Sequence, residues 1–214
     1  MMRPMVLEFP DDPVCQALDR QYMMGSSILA APIFNPDGEA VTYLPEGVWT
    51  HLFTGERKQG GRFIKEQYDY FGLPVYVRPN SIIVTGREDG AVYDYHENAV
   101  VHAYEVAGSG GNAAKTDAAE SDARVVTGGG SGTDVGVGAG VCAAKAGAGT
   151  AKAVVVDAKG HERFVVTIGG LEGAKSKGLM GISVRGTHNG FTVVIHGANE
   201  RVVKIPAGCE KACV

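Results

Sequence analysis

From Ser27 onward, clusters of glycine, proline, asparagine and aspartate cut the chain into short runs of strand-forming residues, roughly every 8 to 12 positions. The runs are Ile28–Phe34, Ala40–Leu44, Val48–Phe53, Arg62–Glu66, Val75–Val77, Ile82–Thr85, Ala91–Tyr95 and Val100–Val106. That spacing leaves no room for crossover helices, so it predicts β-sandwiches rather than βαβ units. The 26 residues before this region differ. Met5–Phe9 reads as a short buried strand halted by Pro10. Asp12 then occupies an N-cap position ahead of Pro13, and Val14, Ala17, Leu18 and Tyr22 recur at i, i+3, i+4 and i+8 up to Gly25. This pattern predicts an amphipathic helix from Asp12 to Met24.

Composition shifts between residues 107 and 160, where 13 glycines and 14 alanines make up half of the stretch. Alternation survives there at Arg124–Thr127 and Ala153–Asp157, so strands with long glycine-rich turns or linkers are expected. Regular strand patterns return at Arg163–Ile168 and Arg201–Ile205. Ile182–Thr187 and Phe191–His196, joined through His188-Asn189-Gly190, predict a hairpin because Asn-Gly favours the type I′ turn. A second all-β unit is expected to start near Val106.

A length of 214 residues is short for a complete (β/α)₈ barrel, which typically needs ~250. The net charge of −4 argues against nucleic acid or an acidic membrane surface as partner, since phosphate binding needs concentrated Lys and Arg. No apolar run approaches a membrane span, and Met1-Met2-Arg3-Pro4-Met5 lacks the apolar core of a signal peptide. Cys15, Cys142, Cys209 and Cys213 are too scattered for a disulfide framework, so free thiols in a cytoplasmic protein are expected.

Residue patterns that carry chemistry are few. Gly128–Gly132 and Gly136–Gly140 have neither dinucleotide-binding nor P-loop spacing, and turn chemistry accounts for them. His96 and His102, with Asp94 and Glu97 nearby, form the densest set of possible metal ligands, but their spacing fits no zinc pattern. On one strand face they would serve equally well as hydrogen-bonded histidines. The acid pairs Asp11/Asp12, Glu88/Asp89 and Asp94/Glu97 are sequence neighbours that a cap or a solvated turn explains. No G-x-S-x-G is present. Trp49, Phe53, Tyr68, Tyr70, Phe71 and Tyr76 concentrate in the first β region; they are core residues or, if exposed, surfaces on which a sugar ring stacks, with Trp49, Tyr68 and Tyr70 the candidates.

Several ordered motifs together resemble a known family. Arg3-Pro4-Met5-Val6-Leu7-Glu8-Phe9-Pro10-Asp11-Asp12-Pro13, Asp19–Gly25, Leu29-Ala30-Ala31-Pro32-Ile33, Tyr43–His51, Thr54-Gly55-Glu56, Gly60-Gly61-Arg62 and Leu73–Arg78 resemble the C-terminal part of glycoside hydrolase family 31. The Trp49-Thr50-His51 form and the Tyr95-His96-Glu97 segment with His102 are most similar to bacterial α-xylosidases. The resemblance implies an all-β fold of two β-sandwich domains, preceded by the last strand and helix of a catalytic (β/α)₈ barrel. Its divisions would be residues 1–25 for the barrel remnant, 26–105 for a proximal sandwich and 106–214 for a distal one.

The resemblance also implies a retaining α-glycosidase whose nucleophile and acid/base aspartates lie on barrel strands upstream of Arg3-Pro4, so it assigns no catalytic residue here. Glu8, Asp11 and Asp12 would lie near the barrel mouth. No metal or cofactor is implied. The partners would be the catalytic barrel, an α-linked oligosaccharide through that barrel, and other copies of the subunit. Two alternatives stand beside this reading, an independent carbohydrate-binding module and a subunit-assembly domain. A piece separated from its barrel is expected to leave Met5, Val6, Leu7 and the apolar face of the Asp12–Met24 helix exposed.

Overall fold

A computed structural model describes residues 2–86, 96–106, 150–157, 159–170 and 180–213. The expected strands at Ala91–Tyr95 and Arg124–Thr127, both glycine runs, Cys142, Glu88, Asp89 and Asp94 lie outside the described residues. The described chain is almost entirely β, in several sheets. Its contacts divide it into two units, Met1–Pro79 and Asn80–Val214.

The first unit contains strands β1 (Met2–Pro4), β2 (Tyr22–Met24), β3 (Ile28–Ala30), β4 (Glu39–Leu44), β5 (Val48–His51), β6 (Arg57–Gln59), β7 (Arg62–Gln67) and β8 (Val75–Val77). Six of them form a sheet in the order β1-β2-β3-β8-β5-β6, and β4 pairs with β7. Met5, Met23, Leu29, Leu44, Trp49 and Tyr76 are the large buried side chains of its core.

Two expectations near the N-terminus are corrected. Met5–Phe9 is not a strand but the one-turn helix α1 (Met5–Glu8), closed by Phe9 N–H donating to Met5 O at 2.9 Å. Met5 and Phe9 stand four positions apart, so one helical turn brings both onto the core while Leu7 stays exposed. The long helix predicted from Asp12 is only a 3₁₀ segment, Pro13–Ala17, after which Leu18 is extended. Tyr22–Met24 is instead a strand that pairs with β3 across a turn at Gly25, whose φ of +65° suits glycine. Strand pairing of Met23 with Leu29 prevails over the helical spacing. Met5 and Cys15 are buried, Val14 and Leu18 pack partly against the core, and Met2 and Leu7 are exposed.

The second unit contains β9 (Ser81–Thr85), β10 (Val100–Tyr104), β11 (Thr150–Val156), β12 (Glu162–Gly170), β13 (Met180–Gly186), β14 (Phe191–His196), β15 (Arg201–Ile205) and β16 (Lys211–Cys213). They form two four-stranded sheets, β15-β14-β10-β9 and β11-β12-β13-β16. One apolar core draws on both, including Ile82, Val101, Phe164, Ile168, Ile182 and Val193. Strand β14 shows the expected alternation, with Phe191, Val193 and Ile195 buried and the residues between them half-buried.

The predicted hairpin around Asn189-Gly190 does not form. Strand β13 pairs with β12 and β16, whereas β14 pairs with β10 and β15, so the chain arches from one sheet to the other there. Gly190 has a φ of +95°, as the turn requires, but buried His188 fixes the arch: its Nε2 lies 3.1 Å from Cys209 O, and Gly190 N–H donates to its Nδ1 at 3.3 Å. The contact division at 79/80 also differs from the expected boundary at 105/106, because β9 and β10 are sheet neighbours of β14.

Candidate functional site

Four polar clusters were sought as sites, beginning with the expected acids. Glu8 is held between two guanidinium groups, pairing with Arg3 and lying 3.5 Å from Arg78 Nη1. Arg78 also places its Cζ 4.6 Å from the centre of the Phe9 ring. Burial draws the Arg78 pKa down, Glu8 opposes the shift, and an arginine this basic remains charged. Asp12 accepts Val14 N–H at 3.0 Å and the Tyr43 hydroxyl at 2.9 Å. Burial, reinforced by Asp12, pushes Tyr43 up to about 12 and the Cys15 thiol up to about 12, which keeps that thiol protonated and inert. Asp11 is exposed. Glu8 and Asp12 are thus occupied by internal partners that pin α1 and the 3₁₀ segment in place.

A second cluster joins strands β5, β6, β7 and β8. Glu66 accepts from the Tyr76 and Tyr68 hydroxyls, the latter at 2.8 Å, and lies 3.1 Å from Lys58 Nζ. Burial alone would raise the Glu66 pKa, but the two phenols and Lys58 hold it below its ordinary value. Tyr76, wholly buried, is pushed far above its ordinary value, mainly by burial, and Tyr68 is pushed up to about 12. His51 stacks on Tyr68 at 6.0 Å and meets Tyr76 edge-on at 5.1 Å. Burial lowers its pKa, and although the Leu73 carbonyl opposes this, no atom meets Nε2 with hydrogen-bond geometry. Sequence reasoning missed Lys58 and Glu66; the one available signal was the inward alternation of Ile64, Glu66 and Tyr68 along an otherwise exposed strand.

The third cluster belongs to the second unit. His102 does not meet His96, whose ring lies 6.3 Å from Phe164. Instead His102 Nδ1 lies 3.0 Å from His196 Nε2, and Tyr104 stacks on His196 at 4.4 Å. In the fourth, Asp157 accepts backbone N–H groups of Lys159 and His161, each at 2.9 Å, together with Arg163 Nε at 3.0 Å. The His161 amide bond leads in drawing its carboxyl down to about 2. It closes the turn between β11 and β12. Among the described residues no three His, Cys, Asp or Glu side chains are grouped to hold a metal ion, and no helix is long and apolar enough to cross a membrane.

The aromatic candidates separate by exposure. Trp49 is wholly buried with its Nε1–H donating to Pro45 O at 2.8 Å, so it offers no face to a sugar. Tyr68 is half-buried and tied to Glu66. Tyr70, 97% exposed, and Phe71, 91% exposed, stand on a turn in which Asp69 Oδ1 accepts Phe71 N–H at 3.0 Å. Their rings are 5.6 Å apart and nearly perpendicular at 89°, an edge-to-face pair rather than a flat platform.

Residues 1–83 match a protein family described as the glycosyl hydrolase family 31 C-terminal domain. An α-xylosidase of Lactiplantibacillus pentosus is 46% identical over 110 residues, which are 50% of this chain and 14% of that protein. An α-xylosidase of Emericella nidulans is 40% identical over 90 residues, 38% of this chain and 12% of that protein. The chain therefore spans about a seventh of the length of the relatives it matches. Among solved structures, a cycloalternan-forming enzyme from Listeria monocytogenes aligns over 91% of this chain and 15% of its own, with a TM-score of 0.60 and 21% identity, a likeness of fold.

Proposed function

The chain belongs to glycosyl hydrolase family 31 through a C-terminal domain at residues 1–83, and on that footing we propose that it is the non-catalytic β-sandwich region of an α-xylosidase-like retaining α-glycosidase. Its role is to brace a catalytic barrel that hydrolyses a terminal α-linked sugar, with contacts between subunits as a further use of its surface. The observation that carries this reading is the 46% identity to an α-xylosidase over 110 residues. The polar clusters support it: Glu8, Asp12 and Glu66 each serve an internal partner, so none is free to act on a glycosidic bond. The reading takes residues 1–25 as the barrel-derived segment, 26–105 as the proximal sandwich and 106–214 as the distal one. Unpaired Cys15 and Cys209 suit a reducing compartment such as the cytoplasm.

The test uses the purified chain with para-nitrophenyl α-xyloside and α-glucoside. No turnover above buffer is expected. Added to a family 31 α-xylosidase from which the matching region has been deleted, the chain should bind and restore activity. Turnover by the chain alone that survives removal of contaminants, or failure to bind the deleted enzyme, defeats the proposal.

A second reading, a glycan-binding module, is favoured by the exposure of Tyr70 and Phe71. It predicts saturable binding of an α-linked oligosaccharide that is lost in Tyr70→Ala.

A further inference from the structure

On the face of the β9-β10-β14-β15 sheet away from the core, four side chains form one line. Thr85 Oγ1 lies 3.2 Å from His102 Nε2, His102 Nδ1 lies 3.0 Å from His196 Nε2, and His196 Nδ1 lies 3.3 Å from Glu200 Oε2. A carboxylate only accepts, so His196 carries its proton on Nδ1 and leaves a lone pair on Nε2. His102 must then donate from Nδ1, and its Nε2 accepts from the Thr85 hydroxyl. One direction of donation, from Thr85 to Glu200, satisfies all three bonds and fixes both tautomers.

The line takes up one proton without losing a bond. A proton entering at His102 Nε2 lets the Nδ1 proton pass to His196 Nε2; His102 Nε2–H then donates to Thr85 Oγ1, and the positive charge rests on His196 beside Glu200. A second proton leaves two donors facing each other at 3.0 Å, both charged, and the central bond is lost. We propose that this line is a one-proton switch, keeping β10 and β14 closed while it holds no more than one added proton and loosening them when both imidazoles are charged.

The other groups around it do not relieve that charge. Tyr104, stacked on His196, is pushed up to about 12 by burial and stays neutral, and Lys204 stands on the same face of β15. Glu105 follows Tyr104 and donates its backbone N–H to His196 O at 2.9 Å. Strand β9 contributes Ser81, Ile83 and Thr85, none of which titrates here. Burial holds both imidazoles below the ordinary value of 6.5, His102 at about 4 and further lowered by His196. Because these values are depressed on folding, the stabilisation is complete above the unfolded value and is lost as pH falls from 6.5 toward about 4.

Imidazole nitrogen shifts of the nitrogen-15-labelled chain at about pH 7.5 should give the Nδ1–H tautomer at both rings. On acidification His196 should charge first and His102 last. Amides of residues 101–103 and 193–195 should open more readily relative to those of β12, about tenfold per pH unit for each histidine still neutral in the folded state. His196→Gln should abolish this extra pH dependence. An Nε2–H tautomer at either ring, simultaneous titration near the unperturbed value, or unchanged pH dependence in His196→Gln overturns the proposal. The tautomer measurement decides it on the unaltered chain if that variant does not fold.

Discussion

Replacing Gln21 by alanine removes a side chain that does the work of a missing strand. Gln21 is 6% exposed; its Nε2 donates to Tyr43 O at 2.8 Å and its Oε1 accepts Tyr43 N–H at 2.8 Å. A backbone N–H has one proton, so Tyr43 directs this group away from its β7 partner Phe63, toward the open edge of β4. Without the amide, both groups stay buried and unpaired, each costing about 1 to 3 kcal/mol. The loss expected is about 2 to 4 kcal/mol, a large fraction of the 5 to 15 kcal/mol that holds a typical domain together.

Trp49, the single tryptophan and wholly buried in the same unit, reports the urea transition by fluorescence. Gln21→Glu is the control. Its second oxygen would face the Tyr43 carbonyl, so the variant should be worse than alanine at neutral pH. Only the protonated acid can donate there, so its folded pKa is raised: stability is present below the unfolded value of about 4.3 and lost as pH rises through the folded one. A loss under about 0.5 kcal/mol for Gln21→Ala, or a Gln21→Glu variant insensitive to acid, would refute the clip.

Two further outcomes are expected. A Cβ on Gly60 would sit 1.9 Å from Pro45 O, so Gly60→Ala should lower stability by about 2 to 3 kcal/mol, read from the same fluorescence transition; an unchanged midpoint would contradict the close approach. Asp157 has a depressed pKa, so its contribution is whole above its unfolded value of 3.8 and is lost as pH falls toward about 2. Asp157→Asn should therefore remove part of the acid sensitivity of the second unit between those values, measured by circular dichroism.

Strands read well from sequence where burial alternates along one segment, as in β11 and β14. The pattern failed where distant residues decide. Val14, Leu18 and Tyr22 kept helical spacing, yet Met23 is paired with Leu29, and Gln21 is claimed by Tyr43. Asn189-Gly190 announced a turn correctly but carried no information on which strand lay beyond it, since His188 and Cys209 set the arch. The family motifs ended near Arg78, and the polar clusters were largely illegible: His102 and His196 are 94 residues apart, and only sheet pairing brings them together.

That parallel pairing of β10 with β14 also sets a timetable for synthesis. Val100 leaves the ribosome about ninety residues before its partner Thr192, an interval of roughly 5 to 20 s at ordinary elongation rates. Throughout it, one edge of β10 has unpaired peptide groups and no neighbour, the condition under which nascent β proteins associate wrongly. A chaperone that holds extended segments would act on this protein during that window, and slowing translation after residue 106 would lengthen the exposure.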